Sequence, residues 1–132
     1  MAHILLIDDD DAVRDVVRTL LCHHGHTVVE ARDGDEGLRL YPSVKADLLI
    51  TDIMMPKKNG LEVLTALRDS RSPFKAIAIS GGSLPGHENG LERALALGAA
   101  KVLAKPFTRD ALINAVNDLL FPGCSDSRAP AP

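Results

Sequence analysis

The chain has 132 residues, enough for one domain that buries about two thirds of its unfolded surface without a disulfide or metal staple. Hydrophobic residues make up 45% and charged residues 25%, as in ordinary globular domains, and with aromatics at 3% the core has to be aliphatic. The net charge of -3 excludes a strongly basic surface for nucleic-acid backbones, and so few aromatic side chains (Phe74, Phe107, Phe121, Tyr41) exclude an extended stacking platform.

Cys22 falls in an apolar helical pattern and Cys124 in a polar tail. That spacing fits neither a secreted disulfide framework nor a thiolate zinc site. The apolar run within MAHILLIDDDD is too short for a signal peptide or a membrane span. No membrane insertion and a reducing cytoplasm are therefore expected.

In chain order, His3 to Ile7 is a short apolar run that stops at four aspartates, and it reads as a buried strand. Asp10 or Asp11 can cap the helix that follows, in which Ala12, Val13, Val16, Val17, Leu20 and Leu21 share one face and Gly25 marks the end. Thr27 to Ala31 is the second strand; a short helix then runs to about Tyr41, where Pro42 is expected to stop it. Asp47 to Thr51 is the third strand and ends at Asp52. Pro56 and Gly60 mark a loop, and the next helix turns Leu61, Leu64 and Leu67 inward. Lys75 to Ser80 is the fourth strand, followed by a long polar loop, GGSLPGHENG. Leu91, Ala94, Leu95 and Gly98 suggest a helix and its stop. Lys101 to Ala104 is the fifth strand, broken by Pro106, and a last helix repeats the pattern of the first through Ala111, Leu112, Ala115, Val116, Leu119 and Leu120. Residues 1–121 read as the domain and 122–132 as a disordered tail or linker stub.

Strands alternating with helices, with nearly continuous apolar runs, predict an α/β fold: a doubly wound parallel sheet with helices on both faces. Sites in such folds lie beyond the carboxyl ends of the strands. That rule gathers Asp8 and Asp9, Asp52, Ser80 and Lys105. Clustered carboxylates repel one another, and a hard divalent cation such as Mg²⁺ relieves the repulsion through oxygen ligands. Asp10 and Asp11 read equally well as helix caps. A lysine opposite the cation and a serine hydroxyl complete a site for a phosphoryl group carried on a carboxylate, since an aspartate can attack phosphorus as a nucleophile.

The stretches HILLIDDDDAVR, DLLITDIMMPKKNGLEV, AISGG and VLAKPF, in this order and spacing, resemble the receiver domain of response regulators in two-component signalling. The resemblance covers about residues 3 to 120. It implies a flavodoxin-like five-stranded sheet of order 2-1-3-4-5. It implies Asp52 as the phosphoacceptor, and Asp9, Asp52 and the Met54 carbonyl as direct Mg²⁺ ligands, with Asp8 acting through a metal-bound water. Lys105 would pair with the phosphoryl oxygens, Ser80 would swing toward them, the Lys105–Pro106 bond would be cis, and Pro56 and Gly60 would shape the loop after the acceptor. The donor would be a sensor histidine kinase or a histidine phosphotransfer protein, and output would run through protein contacts. Beyond assisting its own phosphorylation and dephosphorylation, no small-molecule turnover is expected.

Two features depart from the family. Val102 stands three residues before Lys105, where the family carries its switch aromatic, and the GGSLPGHENG loop is longer than is common. Both are the sequence support for an alternative, a receiver-like binding module independent of phosphorylation. Lys57 and Lys58 add a small basic patch. A metal-dependent phosphatase with an aspartate nucleophile lacks the cap and the second acid it would need at Asp52. His23, His24 and His26 surround a helix end; imidazoles so grouped could bind a transition metal, but the helix dipole favours histidine there without one, and that is the preferred reading.

Overall fold

The computed structural model describes residues 2–53, 59–70, 73–80, 88–105 and 107–121, with residues 88–91 described by their backbone alone. The elements are β1 (His3–Ile7), α1 (Asp11–His23), β2 (Thr27–Ala31), α2 (Gly34–Val44), β3 (Leu48–Asp52), α3 (Gly60–Asp69), β4 (Ala76–Ser80), α4 (Glu88–Ala96), β5 (Lys101–Ala104) and α5 (Arg109–Leu120). The strands form one parallel sheet of order β2-β1-β3-β4-β5.

The position of each strand follows from its residues. β3 and β4 are buried along their whole length and β1 is buried after His3, as strands covered on both faces must be. The edge strands are more polar: β2 exposes Thr27 and Glu30, and β5 is only half-buried up to an exposed Ala104. Side-chain alternation divides the core into two layers. Leu5, Ile7 and Leu49 pack with α3, while Ile4, Leu6, Leu48 and Ile50 pack with Val17 and Leu21 of α1 and Leu112 and Val116 of α5.

Helix starts are set by side-chain caps. Asp10 accepts from the amides of Ala12 and Val13, Asp33 from Glu36, and Thr108 from Ala111. Asn59 and Glu62 form a reciprocal capping box at the start of α3.

Three sequence expectations are corrected. Pro42 does not stop α2, which continues to Val44 and closes on Lys45 in the left-handed conformation. Proline at this point removes one amide donor near the helix end. The packing of Tyr41, Val44 and Ala46 against the core outweighs that loss. Val16 does not join the inner face of α1; its side chain is 65% exposed, whereas Val17 and Leu21 are buried. α4 begins at Glu88, inside the stretch GGSLPGHENG that reads as loop, and it buries Ala94 while Leu95 faces out.

Candidate functional site

The site lies at the carboxyl ends of the strands. Asp8 follows β1 directly, Asp52 closes β3, Ser80 closes β4 and Lys105 follows β5. The sheet order sets these four ends side by side. The Lys105 amide donates to the Ser80 carbonyl at 2.7 Å, which extends the β4–β5 ladder and fixes where the lysine leaves the sheet.

Asp8, Asp9 and Asp52 each present a carboxylate oxygen within 4.8 Å of the others. Asp8 and Asp52 are buried and Asp9 is exposed. At that separation, two charged carboxylates in a partly screened interior repel by about 3–4 kcal/mol. Lys105 offsets the repulsion. Its Nζ donates to Asp52 Oδ2 at 3.2 Å and lies 3.6 Å from Asp8 Oδ2.

Asp8 carries the electrostatic strain. Burial raises its pKa from 3.8 to about 6; the Asp52 and Asp9 carboxylates add to the rise, while the Asp10 amide and Lys105 oppose it. Burial pulls the Lys105 pKa down, but Asp52 and Asp8 more than compensate and hold the ammonium charged. A group of oxygens this close, two of them taken from water, suits a hard cation that would neutralise them, and carboxylate oxygens match the donor chemistry of Mg²⁺.

The structure thus brings together Asp8, Asp9, Asp52 and Lys105, with Ser80 buried at the neighbouring strand end. Met54, Pro56, Lys57, Lys58, Pro106 and most of the long loop lie outside the described residues, as does the expected cis bond. Val102 is half-buried and packs against the Leu5 and Leu49 core layer. Of the histidines, His26 is buried, and its Nδ1 accepts from the Ala2 amide at 3.3 Å; His23 and His24 are exposed at the end of α1.

Sequence reasoning left out Arg14 and Glu30. Arg14 Nη1 donates to the Asp8 carbonyl oxygen at 2.8 Å and its Nε donates to Glu30 Oε1 at 3.0 Å. The available signal was an arginine one turn into the helix after the aspartates, facing an acid on an otherwise apolar stretch of β2.

Residues 4–117 match the family model described as the response regulator receiver domain. The chain belongs to this family. It is 38% identical over 120 residues to the transcriptional regulatory protein CpxR of Escherichia coli K12, covering 91% of this chain and 50% of CpxR. It is 35% identical over 113 residues to the CAI-1 autoinducer sensor kinase/phosphatase CqsS of Vibrio cholerae, covering 86% of this chain and 16% of CqsS. Among solved structures, it superposes on the response regulator TrrA of Thermotoga maritima, solved with Mg²⁺ and BeF, with a TM-score of 0.79 and 31% identity over 90% of this chain and 99% of that one. The chain spans about half the length of CpxR and a smaller part of CqsS, so the receiver domain is what these proteins share with it. Among the described residues, no helix is long and apolar enough to cross a membrane.

Proposed function

We propose that this receiver is a cytoplasmic phosphoacceptor switch. Asp52 accepts a phosphoryl group from a phosphohistidine on a sensor histidine kinase or a histidine phosphotransfer protein. The observation that carries the reading is Lys105 bridging Asp52 and Asp8 inside a group of three carboxylates. Residues 1–121 form the switch domain and 122–132 a tail or linker.

A carboxylate oxygen of Asp52 attacks phosphorus in line with the phosphohistidine bond. A phosphorus–oxygen bond forms, the phosphorus–nitrogen bond breaks, and the departing imidazole nitrogen takes up a proton. Asp8, Asp9 and Asp52, with the Met54 carbonyl, are the groups that would hold Mg²⁺. When bound, the ion supplies charge neutralisation for the carboxylates and the phosphoryl oxygens. That TrrA was solved with Mg²⁺ and BeF supports this assignment. Lys105 donates to the phosphoryl oxygens from the position where it now donates to Asp52. Ser80, buried at the end of β4, is the hydroxyl that reports the new group to the sheet edge beside β5. Water attack on the acyl phosphate later restores the carboxylate.

Output runs through protein contacts. A cavity of about 700 Å³ between α1 and α5, lined by Val16, Leu20, Phe107 and Leu112, gives a partner an apolar surface along the second half of α1, from Asp15 to His23.

Intact-mass spectrometry tests the reading, after exposure to a small acyl phosphate with Mg²⁺. One labile phosphoryl adduct is expected, lost in Asp52→Asn and in EDTA. A folded chain that binds Mg²⁺ but never gains the adduct, even from candidate kinases, would leave the phosphorylation-independent binding module as the better account.

A further inference from the structure

The four polar groups of Asp8 are each held from a different part of the fold. Its amide donates to the Ala31 carbonyl of β2 at 3.1 Å. Its Oδ1 accepts from the Asp10 amide at 2.9 Å, and its Oδ2 faces Lys105. The fourth group, the carbonyl oxygen, is held by Arg14 Nη1 at 2.8 Å.

That carbonyl belongs to the same planar peptide unit as the Asp9 amide. Holding the oxygen therefore sets the plane from which the Asp9 backbone and side chain depart. Asp9 is exposed, and among the described residues no hydrogen bond orients its carboxylate. Its aim toward Asp8 and Asp52 depends on the peptide behind it.

Arg14 is built to hold that plane. Its side chain is only 12% exposed. The rigid fork points three ways at once: Nη1 to Asp8, Nε to Glu30 and Nη2 to Asp11. Glu30 is braced in turn, since its other oxygen lies 3.3 Å from Arg18 Nε. Arg18 shares Glu30 but reaches Asp15 rather than the Asp8 carbonyl, which makes it an internal control.

We propose that Arg14, braced by Glu30, is a positioning residue that holds the Asp8–Asp9 peptide so that both carboxylates face one cation. The inference rests on the reading of Asp8, Asp9 and Asp52 as the Mg²⁺ site.

Isothermal titration of the full chain with Mg²⁺ at neutral pH, beside thermal unfolding of each variant without Mg²⁺, tests it. Arg14→Ala is expected to weaken Mg²⁺ binding roughly tenfold, the low end of what losing an outer partner of a metal ligand costs. Arg14→Lys should recover part of the loss, because one ammonium replaces only part of the fork. Glu30→Gln should weaken binding by a smaller factor, and should add nothing in the Arg14→Ala background. Arg18→Ala removes only a brace on Glu30 and no contact to Asp8, so it should weaken binding less than Glu30→Gln does. Lowered thermal stability with an unaltered Mg²⁺ affinity in Arg14→Ala would overturn the proposal and leave Arg14 as a purely structural contact. If Arg14→Ala does not fold, Glu30→Gln decides in the same way: weaker binding supports the proposal and unchanged binding overturns it. A wild-type chain that takes up no Mg²⁺ would sink the metal reading and this inference together, whereas wild-type binding left intact in the variants sinks the inference alone.

Discussion

Lys105 reaches across 53 positions of sequence to place its ammonium 3.2 Å from Asp52 Oδ2, with Asp8 Oδ2 at 3.6 Å. The contact is a product of strand order. β3 pairs with β4 and β4 with β5, so the carboxyl ends of β3 and β5 stand two strands apart at the same end of the parallel sheet. A lysine side chain spans that gap. One ammonium thus faces both the acceptor and its acidic neighbour, and it competes with any cation those carboxylates would hold.

Lys105→Met should therefore separate two quantities that usually move together. Mg²⁺ affinity is expected to rise severalfold, because a competing positive charge is gone. Phosphoryl uptake from a small donor is expected to slow by about a hundredfold, the usual cost of removing one preorganised donor to a developing charge. Calorimetric Mg²⁺ titration and time-resolved intact-mass spectrometry measure the pair. Unchanged uptake would remove Lys105 from the reaction.

Asp8 gives the site a pH dependence of known sign. Its folded-state pKa, raised by burial to about 6, lies above the unfolded value of 3.8. The folded chain therefore keeps a proton on Asp8 between those values. The stabilisation from that proton is complete below about pH 4 and is lost as pH rises through 6. Mg²⁺ has to displace the same proton, so its affinity should fall as pH drops below 6 and level off above it. Without Mg²⁺ at pH 7.5, Asp8→Asn should raise the unfolding midpoint by several degrees, about what 1–2 kcal/mol does in a domain of this size, and should weaken Mg²⁺ binding. A lowered midpoint would show that Asp8 is stabilised rather than strained by its surroundings.

The aspartates, the lysine and the alternating elements were legible because each is local: a residue at the end of an apolar run, followed by a helix signal. What escaped was decided by partners distant in sequence. Pro42 carries a strong local stop, yet the packing of Tyr41, Val44 and Ala46 carries α2 past it. Val16 and Val17 are identical in sequence terms, and only the rotation of α1 on the sheet buries one and exposes the other. Arg14 reads as a surface helix residue until β2 brings Glu30 against it.

His26 places a second titration at the opposite end of the sheet, with the opposite sign. It is buried, its Nδ1 accepts from the Ala2 amide, and burial lowers its pKa below 6.5, with the N-terminal charge and His24 adding to the shift. The stability this neutral ring supplies is present above pH 6.5 and is lost as pH falls below that value. Protonation also removes the acceptor for Ala2. Melting curves across this range should show an acid destabilisation that is absent in His26→Gln and retained in Asp8→Asn. Equal acid loss in His26→Gln would assign the effect to another group.

Gly60 sets the geometry of the acceptor by what it lacks. A Cβ there would lie 2.4 Å from the Asp52 carbonyl oxygen and 2.9 Å from Ile53 Cα, both backbone atoms. The Gly60 amide donates to the Ile53 carbonyl at 2.9 Å, so α3 begins in direct contact with the segment that carries Asp52. No flexible side chain is present to give way, unlike at Gly37, where the clash is with the Ile7 side chain. Gly60→Ala is thus expected to cost about 2–3 kcal/mol, in the upper range for overpacking, and to slow phosphoryl uptake by displacing the acceptor. Gly37→Ala should cost less and leave uptake intact in the folded fraction, because the atoms in the way belong to the Ile7 side chain and not to the backbone that carries Asp52. Chemical denaturation gives the first quantity and mass spectrometry the second. Equal losses of uptake in the two variants would mean that the α3 start does not position Asp52.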